Sequence, residues 1–449
     1  MRRTAMRVKT QITENTTSRC SRRSSRARSA CSSDVPIDIA SSRVSSTREV
    51  APVISRVLSL AASQRSPRYD SRPRRNSQPM TRSADVVVIG AGVIGCLAGY
   101  FLAADGHRVV ITDRGEVASG TAAASGGWII IHDKETPAEV ALALESRRLY
   151  DRLAVEAGVV VHRTGGLMLA TTSAEFDRLR HQVETATTGG ATVELLNGRA
   201  LIDLEPELAR DLAGGTYCRD EATAHAPQVC QAIVTAARAR GVEVLTGGPV
   251  TAIGLEDGRV THVVIATERI PTQAVVCACG VWSPAVGRLV GVEIPVTPRR
   301  GHLLTMTASP VRRPLLEAGY LDVSGTAQPD PQGLRTIVQP RGDGTCLIGS
   351  SREFKGEDRT VDSDLAERMK QRAARFVPAL AKMRPARVTV GFRPYTPLGR
   401  PIIGWAGPDG FLVATGHEGQ GITLAPVTGK LVSDLVAGRI RQTGFELPR

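Results

Sequence analysis

The run Gly90-Ala91-Gly92-Val93-Ile94-Gly95 constrains this chain more than any other feature. It has the form G-x-G-x-x-G, and its flanks give it meaning. DVVVIG, residues 85–90, is a continuous apolar run ending in glycine, the pattern of a strand buried on both faces. Residues 93–104 place Ile94, Leu97, Phe101 and Leu102 at helical spacing and stop at Gly106. VVITD, residues 109–113, is a second buried strand. The whole is one strand–helix–strand unit. Gly90 permits the tight turn, Gly92 lets backbone approach a pyrophosphate, and Gly95 lets the helix lie close on the sheet. Phosphates would then meet the positive end of the helix at Val93 and Ile94. Asp113 ends the second strand, 23 residues after Gly90, where a carboxylate accepts ribose hydroxyls. The segment reads as a dinucleotide site.

The same punctuation continues. A helix is expected over 137–157, from Pro137 to Gly158, and another opens at Pro227 and stops at Gly241. VEVL (242–245), AVVCACG (274–280) and GFLVATG (410–416) are further apolar strands, and EDGRV (256–260) is a turn between two strands. Residues 363–376 read as a helix capped by Ser363, and 422–438 as a terminal helix with Pro426 in its first turn. Short apolar strands alternating with helices predict a doubly wound α/β sheet. Residues 166–214 and 291–384 are more polar and strand-rich. The expected organisation is a Rossmann-like α/β domain over 84–165, 215–290 and 385–449, interleaved with an α+β substrate domain of mixed sheet over 166–214 and 291–384.

Two more glycine-rich segments decide between cofactors. ASGTAAASGGWI, residues 118–129, offers hydroxyls and bare backbone just after the acidic strand. ATGHEGQGI, residues 414–422, lies between a strand and a helix, so its N–H groups form a second anion-favouring pole. Such a pole stabilises negative charge on a reduced flavin. Two strand–glycine–helix poles about 325 residues apart in sequence fit an extended FAD, one for the pyrophosphate and one for the ring.

The formal charge of +13 suggests a nucleic-acid partner until it is located. Residues 1–83 hold 18 of the 57 basic side chains and 5 of the 44 acidic ones. The other 366 residues therefore carry 39 of each. The folded part has no global electrostatic reason to bind phosphate polymers. The Arg- and Ser-rich extension lacks apolar periodicity and is expected to be disordered. MTRSADVVVIG, starting at Met80, reads as a natural N-terminus; an organelle transit peptide and a functional basic arm are the alternatives. No run of about 18 apolar residues exists to cross a membrane. The eight cysteines form no CxxC pair and read as buried packing thiols in a reducing, cytoplasmic setting, with no metal site.

GAGVIG with ITDRG, ASGTAAASGGWI, ACGVWSP (278–284), GFRPYTPLGRPIIG (391–404) and GHEGQGITLAPVTGKLVSDLVAG (416–438) occur in family order. Together they resemble the FAD-dependent D-amino-acid oxidases, glycine oxidases and sarcosine oxidases. The C-terminal block resembles the bacterial D-amino-acid dehydrogenase and hydrogen-cyanide-synthase branch. The resemblance implies noncovalent FAD and oxidation of a C–N bond beside a carboxylate, with oxygen or a quinone as acceptor. It places the pyrophosphate at Gly90 to Gly95 and the ribose at Asp113, next to Arg114. Flavin contacts fall on Ser119, Gly120 and Thr121 and on Gly416, His417, Glu418, Gly419, Gln420, Gly421 and Ile422. Adenine lies against Val250, and Gly280 passes beside the flavin. Two positions depart from the pattern: TPDG reads Thr396-Pro397-Leu398-Gly399, and R-G-Q reads Arg300-Gly301-His302. No cysteine stands near Arg393 for covalent attachment.

Arg393, in GFRPYT, is the expected substrate clamp, because a guanidinium fork matches a carboxylate. Tyr320, Tyr395 and His302 are candidate pocket residues. The expected substrate is a small amino acid, oxidised by hydride transfer to an imine and then a 2-oxo acid. A flavin dehydrogenase of 2-hydroxy acids or polyol phosphates is the alternative, followed by a noncatalytic flavin-binding subunit.

Overall fold

The computed structural model describes residues 82–320 and 334–448. The basic extension up to residue 81 lies outside them, as does the side chain of Tyr320. A six-stranded sheet runs in the order Ile402–Trp405, Phe411–Thr415, Ala274–Cys277, Val86–Ile89, Val109–Asp113 and Glu243–Thr246. All neighbours are parallel except the edge strand Ile402–Trp405. The helices Val93–Ala104 and Pro137–Ala157 have the expected bounds, and Ala226–Arg238 and Gly421–Val436 lie within a residue or two of theirs.

Strand alternation divides this sheet's side chains between two cores. Val86, Val88, Ile111, Val276 and Leu412 pack with Leu97, Tyr150, Ile233 and Leu431 of those helices. Val87, Ile89, Val110, Val275 and Val413 point the other way. There they meet Ile253, Val263 and Ile270 of a three-stranded antiparallel sheet, Val250–Glu256, Arg259–Ile265 and Glu268–Pro271. The long helices of the expected doubly wound arrangement therefore lie on one face only, and the short helix Ser283–Arg288 reaches the other through Val286. The connection from Glu243–Thr246 to Ala274–Cys277 is a β-meander, and its signal was the EDGRV turn.

The second sheet has eight strands, ordered Pro385–Tyr395, Thr297–Met306, Cys346–Ser351, Leu334–Pro340, Leu315–Glu317, Gly166–Ala170, Gly214–Cys218 and Val193–Asn197. Leu315–Glu317 and Gly166–Ala170 are parallel and the other pairs antiparallel, so the sheet is mixed, as expected. Two segments expected in the dinucleotide-binding part, residues 215–218 and 385–395, run in this sheet instead. Pro385–Tyr395 pairs along its length with Thr297–Met306, and that ladder carries it across. Helix Ser363–Ala374 covers the sheet with Leu365 and Met369 against Leu304 and Ile348. Its cap is Asp362, whose carboxylate accepts Leu365 N–H at 2.9 Å, and not Ser363. Helix Ser173–Thr188 stands in a stretch expected to be strand-rich. Its sequence signal is a capping box, Thr172 with Glu175.

Candidate functional site

A cavity of about 490 Å³ opens between the two sheets. Its lining joins the three glycine-rich segments that are far apart in sequence. From the first come Gly90, Gly92, Val93 and Ile94; from the second, Ser119, Gly120 and Thr121; from the third, His417, Glu418, Gly419, Gly421 and Ile422. Asp113, Arg114, Val250, Gly280 and Arg393 also line it. Ala91, Gly95, Gly416 and Gln420 lie beside the lining residues without facing the cavity. His302 is set back from it.

The glycines divide their work as the spacing required. Gly90 has φ +111°, and a Cβ there would stand 2.5 Å from the Ala278 carbonyl oxygen. A Cβ at Gly95 would fall 1.8 Å from the Gly90 oxygen. At Gly92 nothing lies within 4 Å, so a side chain would enter the cavity. Both long helices that begin at the cavity, Val93–Ala104 and Gly421–Val436, lack a side-chain N-cap and an acidic residue in the first turn. Their leading N–H groups are left for an anionic ligand. This donor set, with a cradle that a Cβ would fill, fits FAD.

Asp113 is engaged by the chain itself. Its two oxygens accept Ala91 N–H and Gly115 N–H, each at 2.8 Å, which ties the glycine turn to the end of the second strand. Arg114 stacks on Trp282 at 4.4 Å. The neutral His417 is fully enclosed and shares a 3.0 Å hydrogen bond with Thr428 Oγ1. Burial pushes its pKa down to about 3. It stays an uncharged ring at working pH.

Arg393 reaches the other end of the cavity. It donates to the Ser351 carbonyl at 3.0 Å, and its Nε stands 4.0 Å from Glu418 Oε1. The same oxygen lies 3.6 Å from Arg299 and 3.9 Å from Arg352. Burial alone would raise the Glu418 pKa. The three guanidiniums outweigh that and hold its carboxyl below the usual range. Arg299 is almost fully buried and rests on Phe354 and Tyr395. Sequence reading missed Arg299, Arg352 and the convergence on Glu418. The register that sets Arg299 opposite Arg393 exists only once the two strands are paired, so no local signal announced it.

The R-G-H departure has a structural purpose. Arg300 is fully buried and grips Glu353 with two hydrogen bonds, Asp358 at 2.5 Å and the Thr360 carbonyl at 3.3 Å. His302 accepts Asp362 N–H at Nε2 and meets Ser351 Oγ at Nδ1. Burial lowers its pKa, which preserves the neutral form that this acceptor role needs. Tyr395 packs edge-on against Phe354. Tyr320 ends a short 3-10 turn, Ala318–Tyr320.

His132, Cys218 and Glu221 approach one another within 4.8 Å. Glu221 already accepts Trp128 Nε1, Ile131 N and His132 N, and its Oε1 meets His132 Nδ1 at 2.6 Å. It clamps the segment leading from the second glycine-rich loop. Among the described residues, no helix is long and apolar enough to cross a membrane.

A Rossmann-like sheet, two uncapped helix N-termini and one shared cleft define a flavin-dinucleotide oxidoreductase. The chain belongs to the DAO family of FAD-dependent oxidoreductases, whose model matches residues 85–435. It is 32% identical over 383 residues to the glycine oxidase of Geobacillus kaustophilus, covering 82% of this chain and 96% of that one. A crystal structure of glycine oxidase from that organism superposes with a TM-score of 0.72 at 29% identity, over 82% of this chain and 97% of that chain. The D-amino acid dehydrogenase of Methylobacterium nodulans is 27% identical over 419 residues, 80% of this chain and 97% of that one.

Proposed function

We propose that this FAD-dependent enzyme oxidises the C–N bond of a small amino acid, giving an imine that water hydrolyses to a 2-oxo acid. The observation that carries the reading is Arg393: a guanidinium enters the same cleft as the two helix N-termini. Bound FAD supplies the hydride acceptor. The protein supplies position and charge. Arg393 forks the substrate carboxylate and so turns the α-C–H toward the cofactor. The N-terminus of Gly421–Val436 favours negative charge beside it. His417, neutral and hydrogen-bonded to Thr428, adds a polar wall without a proton to exchange near neutral pH. The names of the relatives, glycine oxidase and D-amino acid dehydrogenase, support the substrate class. Oxygen or a quinone takes the electrons onward. The six described cysteines are all free, in keeping with a reducing, cytoplasmic setting.

The test is anaerobic flavin bleaching across glycine, N-methylglycine, D- and L-amino acids, 2-hydroxy acids and polyol phosphates. Bleaching by the hydroxy compounds alone overturns the reading. Removing one partner of a buried charge pair costs about 2–5 kcal/mol. Arg393→Leu should therefore lose roughly 30- to 4,000-fold in flavin reduction per substrate concentration, with Arg393→Lys in between. A decarboxylated amine should lose far less. Equal losses for both substrates would mean that Arg393 does not hold the carboxylate.

A further inference from the structure

One cation of the cleft has no task in the chemistry above. Arg359 lines the cavity from residues 353–362, which connect the strand Cys346–Ser351 to the helix Ser363–Ala374. Its guanidinium lies 5.0 Å from the centre of the Phe392 ring. Among the described residues it makes no hydrogen bond or ion pair. Its neighbour Asp358 is not available, being engaged by Arg300 at 2.5 Å and by Thr360 N–H at 2.8 Å.

The backbone that carries Arg359 is held on both sides. Asp358 before it and Thr360 after it both bind Arg300, which is itself buried. Glu353 pairs with the Arg300 backbone in both directions, at 2.8 and 3.0 Å. At the far side of the segment, Asp362 N–H binds His302. Within it, Glu357 accepts Trp282 Nε1 at 2.8 Å. The segment thus spans from the eight-stranded sheet to a residue that follows the strand Ala274–Cys277 of the other sheet. The backbone on either side of Arg359 is already held, so less entropy opposes ordering of its side chain by a ligand.

Arg114 provides the counterpart. It stacks on Trp282 as Arg359 stacks on Phe392, and those two rings belong to one apolar cluster in the wall of the cleft. Two guanidiniums, one from each sheet's side, therefore face a cleft whose cofactor carries a doubly charged diphosphate.

We propose that residues 353–362 form a strap over the cofactor cleft and that Arg359 is a cofactor-binding residue, its guanidinium pairing with the diphosphate of bound FAD. Arg300 and His302 hold the strap. The departure at Arg300-Gly301-His302 then serves cofactor retention.

The experiment uses the full chain stripped of flavin and titrated with FAD, ADP and riboflavin, without amino-acid substrate, so its outcome is independent of the substrate reading. Arg359→Ala should weaken FAD and ADP by about tenfold, and the loss should shrink with added salt. Riboflavin, which has no phosphate, should bind both proteins alike. Arg359→Lys should recover part of the loss. In the wild type, FAD should slow tryptic cleavage after Lys355, and Arg359→Ala should lose that protection. Unchanged FAD and ADP affinities, an equal loss for riboflavin, or cleavage after Lys355 indifferent to FAD would each overturn the proposal.

Discussion

Arg393 lies across Gly301. A Cβ at Gly301 would stand 2.3 Å from Nη1 of Arg393 and 2.8 Å from the Ser351 carbonyl that Nη1 binds. The two strands bearing these residues are paired in register, with Gly301 opposite Gly391 and Arg299 opposite Arg393. The absence of a side chain at 301 is thus what lets the guanidinium lie flat over the ladder and reach the cleft.

Gly301→Ala should push that guanidinium away without emptying the cofactor site. The expected loss is roughly tenfold to a hundredfold in the rate of flavin reduction per concentration of a carboxylate substrate, or about 1.4–2.8 kcal/mol. Flavin content should match the wild type. A variant with normal rates would show that Arg393 has a second productive orientation.

Most of the dinucleotide-binding part was legible because its signals are local. Gly90, Gly92 and Gly95 act within one turn, and the strand Val86–Ile89 needs apolar residues on both faces wherever it packs. The Gly421–Val436 pole was legible for the same reason. The covering of the second face was not, because Ile253 and Val263 show ordinary strand alternation that does not name its partner. The Arg cluster was equally hidden: Arg299, Arg352 and Arg393 meet Glu418 only after three strands and a loop are assembled. His302 attracted attention as a residue type, yet its ring serves the backbone of Asp362. Thr172 and Glu175 are the converse case, a local capping box set in a segment whose polarity masks the helix it starts.

On the proposed reading, in which Arg393 holds the substrate carboxylate, Glu418 competes with the substrate for it. Its Oε1 is the point shared by three guanidiniums. Glu418→Gln keeps the shape and removes the charge. Acetate, a nonreactive carboxylate, should then bind about three- to thirtyfold more tightly, measured by its perturbation of the flavin spectrum. That range corresponds to roughly 0.7–2 kcal/mol. Weaker acetate binding would show instead that Glu418 orients Arg393 for the substrate.

Gly92 and Gly95 should fail in different ways. Gly92 has φ −77° and open space around its missing Cβ, so valine suits the backbone and projects into the cleft. Gly92→Val should be folded, with a melting temperature near that of the wild-type apoprotein, and largely colourless. Gly95→Ala drives a methyl into the Gly90 carbonyl, 1.8 Å away, and should destabilise the fold itself. Stoichiometric flavin in purified Gly92→Val would place the phosphates elsewhere.

His417 makes stability depend on pH with a definite sign. Its folded-state pKa is near 3, against about 6.5 when exposed. The unfolded chain therefore binds a proton that the folded one refuses. The stabilisation is complete above the unfolded pKa and is lost as pH falls toward 3, at up to about 1.4 kcal/mol per unit. His417→Gln removes that proton site while keeping a partner for Thr428. Urea unfolding of the two apoproteins at pH 7.5 and 4.5 isolates the effect. The wild type should lose about 2–3 kcal/mol more than His417→Gln over that interval. The pH profile of flavin reduction between 6 and 9 should keep its shape in the variant, because the ring carries no proton to exchange there. An equal loss of stability in both proteins would mean that His417 titrates near its ordinary value, with its ring open to water.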